Sequence, residues 1–317
     1  MTRPVAWRLA RWGAVILLSA LFIAALRRMD IGRVWSALGS VNPGWIGAAL
    51  LCYALILPLW ALQWFLLSPP VASRTRRRML AVVCMTSTVL NTTPMLVGEA
   101  TGILLLVTRG GLDRGAALSV LAMDQLFVGL AKLAVLSAAA VLLPLPLWMT
   151  RAVASLVVAV GLLLLALVVA AWRHADLRRV MDARLPARFR GRLASFGPAL
   201  APLRSPRLSG SVLLLALAKK AAEVLAIICI QRAFGVVLPL SSAVLVLAAL
   251  NLATLLPLTP GNVGLYEAAV VFAYTWLGVP PEQALSMAVV QHACYVVALA
   301  LPGYRWAADV TRRAPAA

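Results

Sequence analysis

Two short segments concentrate the residue types that could do chemistry. Asn91-Thr92-Thr93-Pro94 is followed by Gly98 and Glu99, and Leu256-Pro257-Leu258-Thr259-Pro260-Gly261-Asn262 is followed by Gly264, Tyr266 and Glu267. Each interrupts a stretch that is otherwise apolar, 79–108 and 241–277. A helix that begins at such a break presents unpaired N–H groups and the positive end of its dipole, a setting suited to phosphate or carboxylate. Thr93 and Thr259 suit N-cap positions, with Pro94 and Pro260 at the first helical residue; capping alone is the competing role. Gly98, Gly261 and Gly264 leave room for close backbone approach. Glu99 and Glu267 follow within two turns. Such a carboxylate either steadies the helix start or, as an ionisable group in apolar surroundings, meets a cation or exchanges a proton.

Other ionisable groups share this setting. Four of the ten acidic residues (Glu99, Asp124, Glu223, Glu267) fall in apolar blocks, as do Lys132, Lys219 and Lys220. Lys219 and Lys220 precede Glu223 by four and three residues, one helix face, so mutual neutralisation competes with a functional role. Asp124 and Lys132 are two turns apart and do not pair directly. Gln291-His292 adds a polar pair in a late apolar block; His292 suits proton transfer, or a plain hydrogen bond. No phosphate loop, metal-ligand cluster or nucleophile triad is present, so no cofactor or metal is expected. Cys52, Cys84, Cys229 and Cys294 lack redox or metal spacing and read as small buried hydrophobes.

The elements that must position these groups follow from composition. The 317 residues are 63% hydrophobic and 12% charged, with mean hydropathy +0.94. A soluble globule carries about 25% charged residues. The apolar residues fall in blocks long enough to cross a hydrocarbon core of about 30 Å. The chain therefore reads as an all-α polytopic membrane protein, a single integral domain over 1–317 with about six spans: 12–26, 44–67, 115–142, 151–172, 211–231 and 283–303. The arms of 79–108 and 241–277 are too short to cross alone, so each broken segment is expected to be a re-entrant hairpin. The N-terminal run Trp12–Leu26 resembles a signal peptide but reads as an uncleaved span. The basic segment 173–207 has apolar residues at helical spacing and is expected to include an amphipathic helix on the membrane surface.

A formal charge of +19 raises nucleic acid as a partner. The arginines lie instead in short connections, and no basic helix or aromatic-interleaved patch accompanies them, so nucleic-acid binding is excluded. With both termini and the connections 68–78, 109–114 and 173–207 on the cytoplasmic side, only Arg27, Arg28, Arg33, Arg151 and Arg232 stay outside. That is the bias of the positive-inside rule, and these loops suit an anionic lipid surface.

The two breaks also repeat. Thr93-Pro94-x-x-Val97-Gly98-Glu99-Ala100 returns as Thr259-Pro260-x-x-Val263-Gly264-x-x-Glu267-Ala268. Gly111 then matches Gly278, Ala117-Leu118-Ser119 matches Ala284-Leu285-Ser286, and Asp124-Gln125 aligns with Gln291-His292. On the topology above, the halves 44–142 and 211–303, joined through the loop 173–207, form an inverted repeat of the kind that gives transporters two access states. Two independent helix breaks of similar composition are the competing reading.

These residues resemble the membrane domain of lysylphosphatidylglycerol synthases, the flippase-like family also called UPF0104, over about 10–305. The carriers are Leu256–Ala268 with the turn Gly278-Val279, and Val97-Gly98-Glu99. Met95 and Leu96 stand where the family usually has an arginine, and Gln291-His292 where it often has another. The resemblance implies movement of a polar-headed lipid between leaflets of the bacterial inner membrane. The aminoacyl-phospholipid, polyprenyl-linked and hopanoid classes are the candidate cargoes. The Pro-Gly-Asn-Val-Gly segment also looks like that of hopanoid-associated membrane proteins. The competing functions are an integral-membrane transferase acting on a lipid-linked substrate, and a scaffold recruiting lipid-biosynthesis enzymes.

Overall fold

A computed structural model describes residues 39, 41–70, 75–93, 95–142, 147–172, 203, 205–254 and 259–313. The expected first span 12–26, most of 27–43, Pro94, nearly all of the basic segment 173–207 and residues 255–258 lie outside the described residues. The described elements are α1 (Pro43–Ala54), α2 (Ile56–Leu67), α3 (Arg76–Thr92), α4 (Met95–Thr108), α5 (Arg114–Leu142), α6 (Leu147–Trp172), α7 (Pro206–Ala233), α8 (Leu240–Ala253), a 3₁₀ turn (Pro260–Asn262), α9 (Leu265–Trp276) and α10 (Pro281–Arg313). No strand occurs among the described residues.

Among the described residues, three segments are long and apolar enough to cross a membrane: Pro43–Leu67, Arg114–Leu142 and Pro281–Trp306. The 26-residue α6 and 28-residue α7 cover the expected spans 151–172 and 211–231. The two broken stretches instead give short helices. α4 has 14 residues, α8 14 and α9 12. At 1.5 Å per residue these are about 18–21 Å long, well under the hydrocarbon thickness.

Contacts group the chain into two compact units, discontinuous in sequence and not following the repeat halves. One holds α1, residues 87–98 and everything from Ala222 onward; the other holds Leu55–Thr86 and Glu99–Ala221.

In the first unit, α9 packs against both α8 and α10, and α10 packs against α1. Small residues make these approaches close: Ala243, Ala248, Ala273, Ala284 and Ala288 are wholly buried. Apolar burial offers little drive between helices in lipid, so close packing of small side chains carries more of the association. Gln231 hydrogen-bonds Ser242 at the start of α8 (3.0 Å) and stands beside Tyr274 near the end of α9, so α8 and α9 run antiparallel. The start of α1 is tied to the end of α7. Asn42 donates its N–H to the Ala233 carbonyl (2.9 Å), and its side chain accepts the Gly44 N–H (2.9 Å) ahead of Pro43 at the first helical position. Pro302 lies inside α10, where it removes a backbone donor; in that turn Thr88 donates its hydroxyl to the Ala300 carbonyl (2.5 Å).

In the second unit, α5 packs on α6 and α2 on α5. The interruption between α1 and α2 at Leu55 has a local cause, since Pro58 has no N–H for the Ala54 carbonyl.

The hairpin at the first break is set by glycine. An ideal Cβ on Gly98 would meet Leu90, and one on Gly102 would meet Thr86. The partner number falls by four as the glycine number rises by four, so α3 and α4 run antiparallel. The polar residues before the break satisfy themselves on their own helix: Asn91 bonds Ser87, Thr92 bonds Thr88 and Thr93 bonds Val89, each to a carbonyl four residues back.

The element order repeats with the sequence. A short helix (α4 or α9) ends at a left-handed glycine, Gly111 at φ 71° or Gly278 at φ 83°, and a long helix begins three residues later, at Arg114 or Pro281. In both, an N–H just past the glycine returns to the helix before it, Leu112 to Leu106 and Val279 to Tyr274, satisfying end carbonyls.

Gly98→Ala would put its Cβ 2.8 Å from the Leu90 Cα, a backbone atom that cannot turn aside. We expect it to lower stability by about 1–3 kcal/mol. Gly129→Ala, with nothing within 4 Å of the added Cβ, should be neutral or stabilising. Thermal unfolding in detergent distinguishes the two, and equal midpoints would refute the tight hairpin.

Candidate functional site

The second break is a run of backbone that a right-handed helix cannot continue. Gly261 and Asn262 have φ of 60° and 57°, and Gly264 has φ 85°. Glycine adopts these angles freely and asparagine tolerates them. Pro260 therefore opens only a three-residue 3₁₀ turn, and α9 starts at Leu265 rather than at Pro260 as the sequence suggested. The cap differs too. Gly264 is the N-cap, and its N–H donates to Glu267 Oε2 at 2.7 Å. Thr259 instead donates its hydroxyl across the turn to the Val263 carbonyl at 2.9 Å. Of the three expected close approaches two are met, at Gly98 and at Gly261, where an ideal Cβ would lie 2.8 Å from the Asn91 carbonyl oxygen of the first break. Gly264 has open space around it, and its backbone angle is what calls for glycine.

The rest of the first unit's cluster converges on this turn. Glu267 Oε1 lies 2.6 Å from His292 Nδ1, and His292 Nε2 lies 3.1 Å from the Gly261 carbonyl oxygen. One histidine on α10 thus touches both ends of the break. Tyr266 stacks on the His292 ring with centroids 4.2 Å apart and accepts a hydrogen bond from Gln291 Nε2 at 2.9 Å. Tyr295 lies 6.0 Å from Tyr266 and meets Tyr53 edge-to-face at 5.4 Å, an arrangement contributing about 0.5–1.5 kcal/mol beyond area burial. Glu223 stands close enough for its charge to act on Tyr53, Tyr266 and Tyr295. Gln291 Oε1 and Asn251 Nδ2 are buried in the same unit and hydrogen-bond no protein group. Such orphaned atoms are uncommon in folded chains and are available to a polar partner.

The second unit holds a different cluster. Asp124 accepts from Gln63 Nε2 at 2.9 Å on Oδ1 and from Trp60 Nε1 at 3.3 Å on Oδ2. Lys219 Nζ lies 3.8 Å from the same Oδ1 and 5.7 Å from the centre of the Trp60 ring. Asp124 is thus surrounded by donors and a counter-charge, the condition under which a carboxylate tolerates burial. Glu99 is partly exposed and accepts a long bond of 3.4 Å from Gln125 Nε2.

The structure thus assembles Gly261, Gly264, Tyr266, Glu267, Gln291 and His292 in one place, with Thr259, Pro260 and Asn262 forming the turn. It places Glu99, Asp124, Lys219 and Lys220 in the other unit, and Pro94 lies outside the described residues. Lys219 has Asp124 as a counter-charge, a pairing that its spacing to Glu223 did not reveal. Sequence reasoning also missed Tyr53, Tyr295, Trp60 and Gln63. A glutamine inside an apolar span was a usable signal for Gln63, and Tyr295, three residues after His292, shares its helix face. Tyr53 and Trp60 carry no local signal, since aromatic residues are ordinary in spans.

Lys219→Met would leave Asp124 without this counter-charge, and we expect a loss of about 3–5 kcal/mol. Combining it with Asp124→Asn should recover most of that loss in a detergent unfolding series. Additive losses would show that the two side chains are not coupled.

A comparison with curated proteins returns no match. Residues 11–303 match the family described as the lysylphosphatidylglycerol synthase TM region. That covers both breaks, both clusters and every described helix up to the last turns of α10, and assigns the chain a lipid-related setting in a membrane. The chain belongs to the lysylphosphatidylglycerol synthase TM region family.

Proposed function

We propose that the protein is a flippase-like transporter that moves a polar-headed lipid between the leaflets of a bacterial inner membrane. The observation that carries this reading is the second break with its cluster: a helix start, a histidine–glutamate pair and orphaned amide atoms, where the short helices α8 and α9 meet the long α10. A lipid head group crossing hydrocarbon loses its hydration at a cost of several kcal/mol, and polar groups partway across reduce that cost.

On this reading the two broken segments are re-entrant hairpins of an inverted repeat. The repeated order of short helix, left-handed glycine and long helix supports it. So does the pairing of equivalent positions, Glu99 with Gln125 and Glu267 with His292. The arginine distribution supports cytoplasmic termini, with the basic loops lying against anionic lipid. The candidate cargo classes are aminoacyl-phospholipids, polyprenyl-linked lipids and hopanoids. The Glu267–His292 pair gives a second reading some support, because a carboxylate holding an imidazole is also an arrangement for acid–base catalysis in a lipid transferase.

Reconstitution separates these. In vesicles of phosphatidylglycerol carrying a fluorescent phosphatidylglycerol, the protein should expose inner-leaflet probe to an external quencher, and Glu267→Gln should slow this by about tenfold or more, some 1.4 kcal/mol of barrier. A glutamine there can still accept the Gly264 N–H, so the variant should unfold within about 1 kcal/mol of the parent. A probe as protected as in protein-free vesicles, with each candidate class tried in turn, would refute transport, and a new covalent lipid product would favour the transferase.

A further inference from the structure

The hydrogen bonds of His292 fix how many protons the pair must hold. Nε2 faces the Gly261 carbonyl oxygen, which can only accept, so Nε2 carries a proton. Nδ1 faces Glu267 Oε1 at 2.6 Å, so a second proton lies between them, on the imidazole or on the carboxyl. Either way the pair is neutral overall, as its apolar surroundings favour. Taking that proton away leaves two arrangements, and each breaks a bond. With the remaining proton on Nε2, a lone pair of Nδ1 faces a carboxylate oxygen and the two side chains separate. With it on Nδ1, a lone pair of Nε2 faces the Gly261 carbonyl, and the tie from α10 to the turn is lost. Gly261 is also where the second break touches Asn91 of the first.

We propose that Glu267 and His292 form a proton-binding site whose deprotonation releases the turn Pro260–Gly264 from α10. The acceptor of that proton is water entering the break, since ionisable groups within membranes face the bundle interior or a water-filled cavity. The surrounding elements carry Tyr266 and Tyr274 on α9, Tyr295 and Cys294 in the middle of α10 with Glu282, Tyr304, Arg305, Asp309, Arg312 and Arg313 toward its ends, Tyr53 and Cys52 on α1, and Glu223, Cys229 and Arg232 on the first unit's part of α7. α8 and the described residues of 87–98 bring none. Among these acids Glu223 is the one that stands close enough to act on Tyr53, Tyr266 and Tyr295 around the pair. The repeat supplies a natural contrast. At the equivalent place Glu99 has Gln125, an amide that neither takes nor gives a proton, so that contact cannot share a proton as Glu267 and His292 do. Use of the site to drive lipid movement rests on the transporter reading above.

The chain has two histidines, His174 and His292, so nitrogen-15 histidine spectra of the full protein in nanodiscs are simple to assign with His292→Gln. We expect the pair in the parent to lose its shared proton in one titration step, read as a change in the His292 nitrogen shifts. Glu267→Gln should lower that step by about one pH unit or more, a tenfold change in proton affinity. Deuterium exchange of residues 259–268, corrected for intrinsic rate, should rise at the parent's step and be pH-independent in His292→Gln. A step unmoved in Glu267→Gln, or exchange that ignores the step, overturns the proposal. In the vesicle assay, pH-dependent lipid exchange that His292→Gln flattens extends the site to transport. Exchange that is pH-independent in the parent overturns that coupling while leaving lipid movement intact. Absence of all lipid exchange removes the transporter reading, and the spectra then decide the proton site alone.

Discussion

A backbone that leaves the helical path in apolar surroundings must find partners for its freed N–H and C=O groups, and both breaks answer that constraint. At the second break several freed groups have a partner from the protein. The Gly264 N–H goes to Glu267, the Val263 carbonyl to Thr259, and the Gly261 carbonyl to His292. The side chains that look like a reactive cluster are therefore also the ones that make the break possible. Support and chemistry meet in one side chain at this turn, because Glu267 holds the helix start with one oxygen and the histidine with the other.

The first break meets the same constraint differently. Its polar side chains fold back onto the preceding helix, and α3 and α4 close up through Gly98 and Gly102. Its acidic residue is partly exposed and weakly held. Two segments of common pattern have thus taken separate routes, one toward a self-satisfied hairpin and one toward a polar cluster shared with neighbouring helices. The buried Asp124–Lys219 contact is a third solution, where charge cancels charge within the other unit.

Much of this was legible in the residues because the signals are local. Proline and glycine mark breaks regardless of what packs around them, and an ionisable residue in an apolar block is conspicuous by composition. Hence both breaks, Glu267, His292 and the matching Gly111 and Gly278 could be read directly. The start of α9 could not. It depends on Asn262 adopting a left-handed angle, which asparagine permits but does not demand. The partner of Lys219 was hidden for a different reason. Spacing within one helix reveals only neighbours three or four residues away, while Asp124 comes from α5. Tyr53 likewise joins the cluster only because α1 packs on α10.

The bond from Asn42 to Ala233 has a bearing on biosynthesis. The first unit draws its pieces from early, middle and late parts of the chain, and α1 finds its partners only after α7 and α10 have been made. At about 5–20 residues per second, a ribosome needs roughly 10–40 s to cover that interval. The unit's assembly is therefore a late, post-insertion event, and the nascent chain must remain soluble in the bilayer, unassembled, for most of its synthesis.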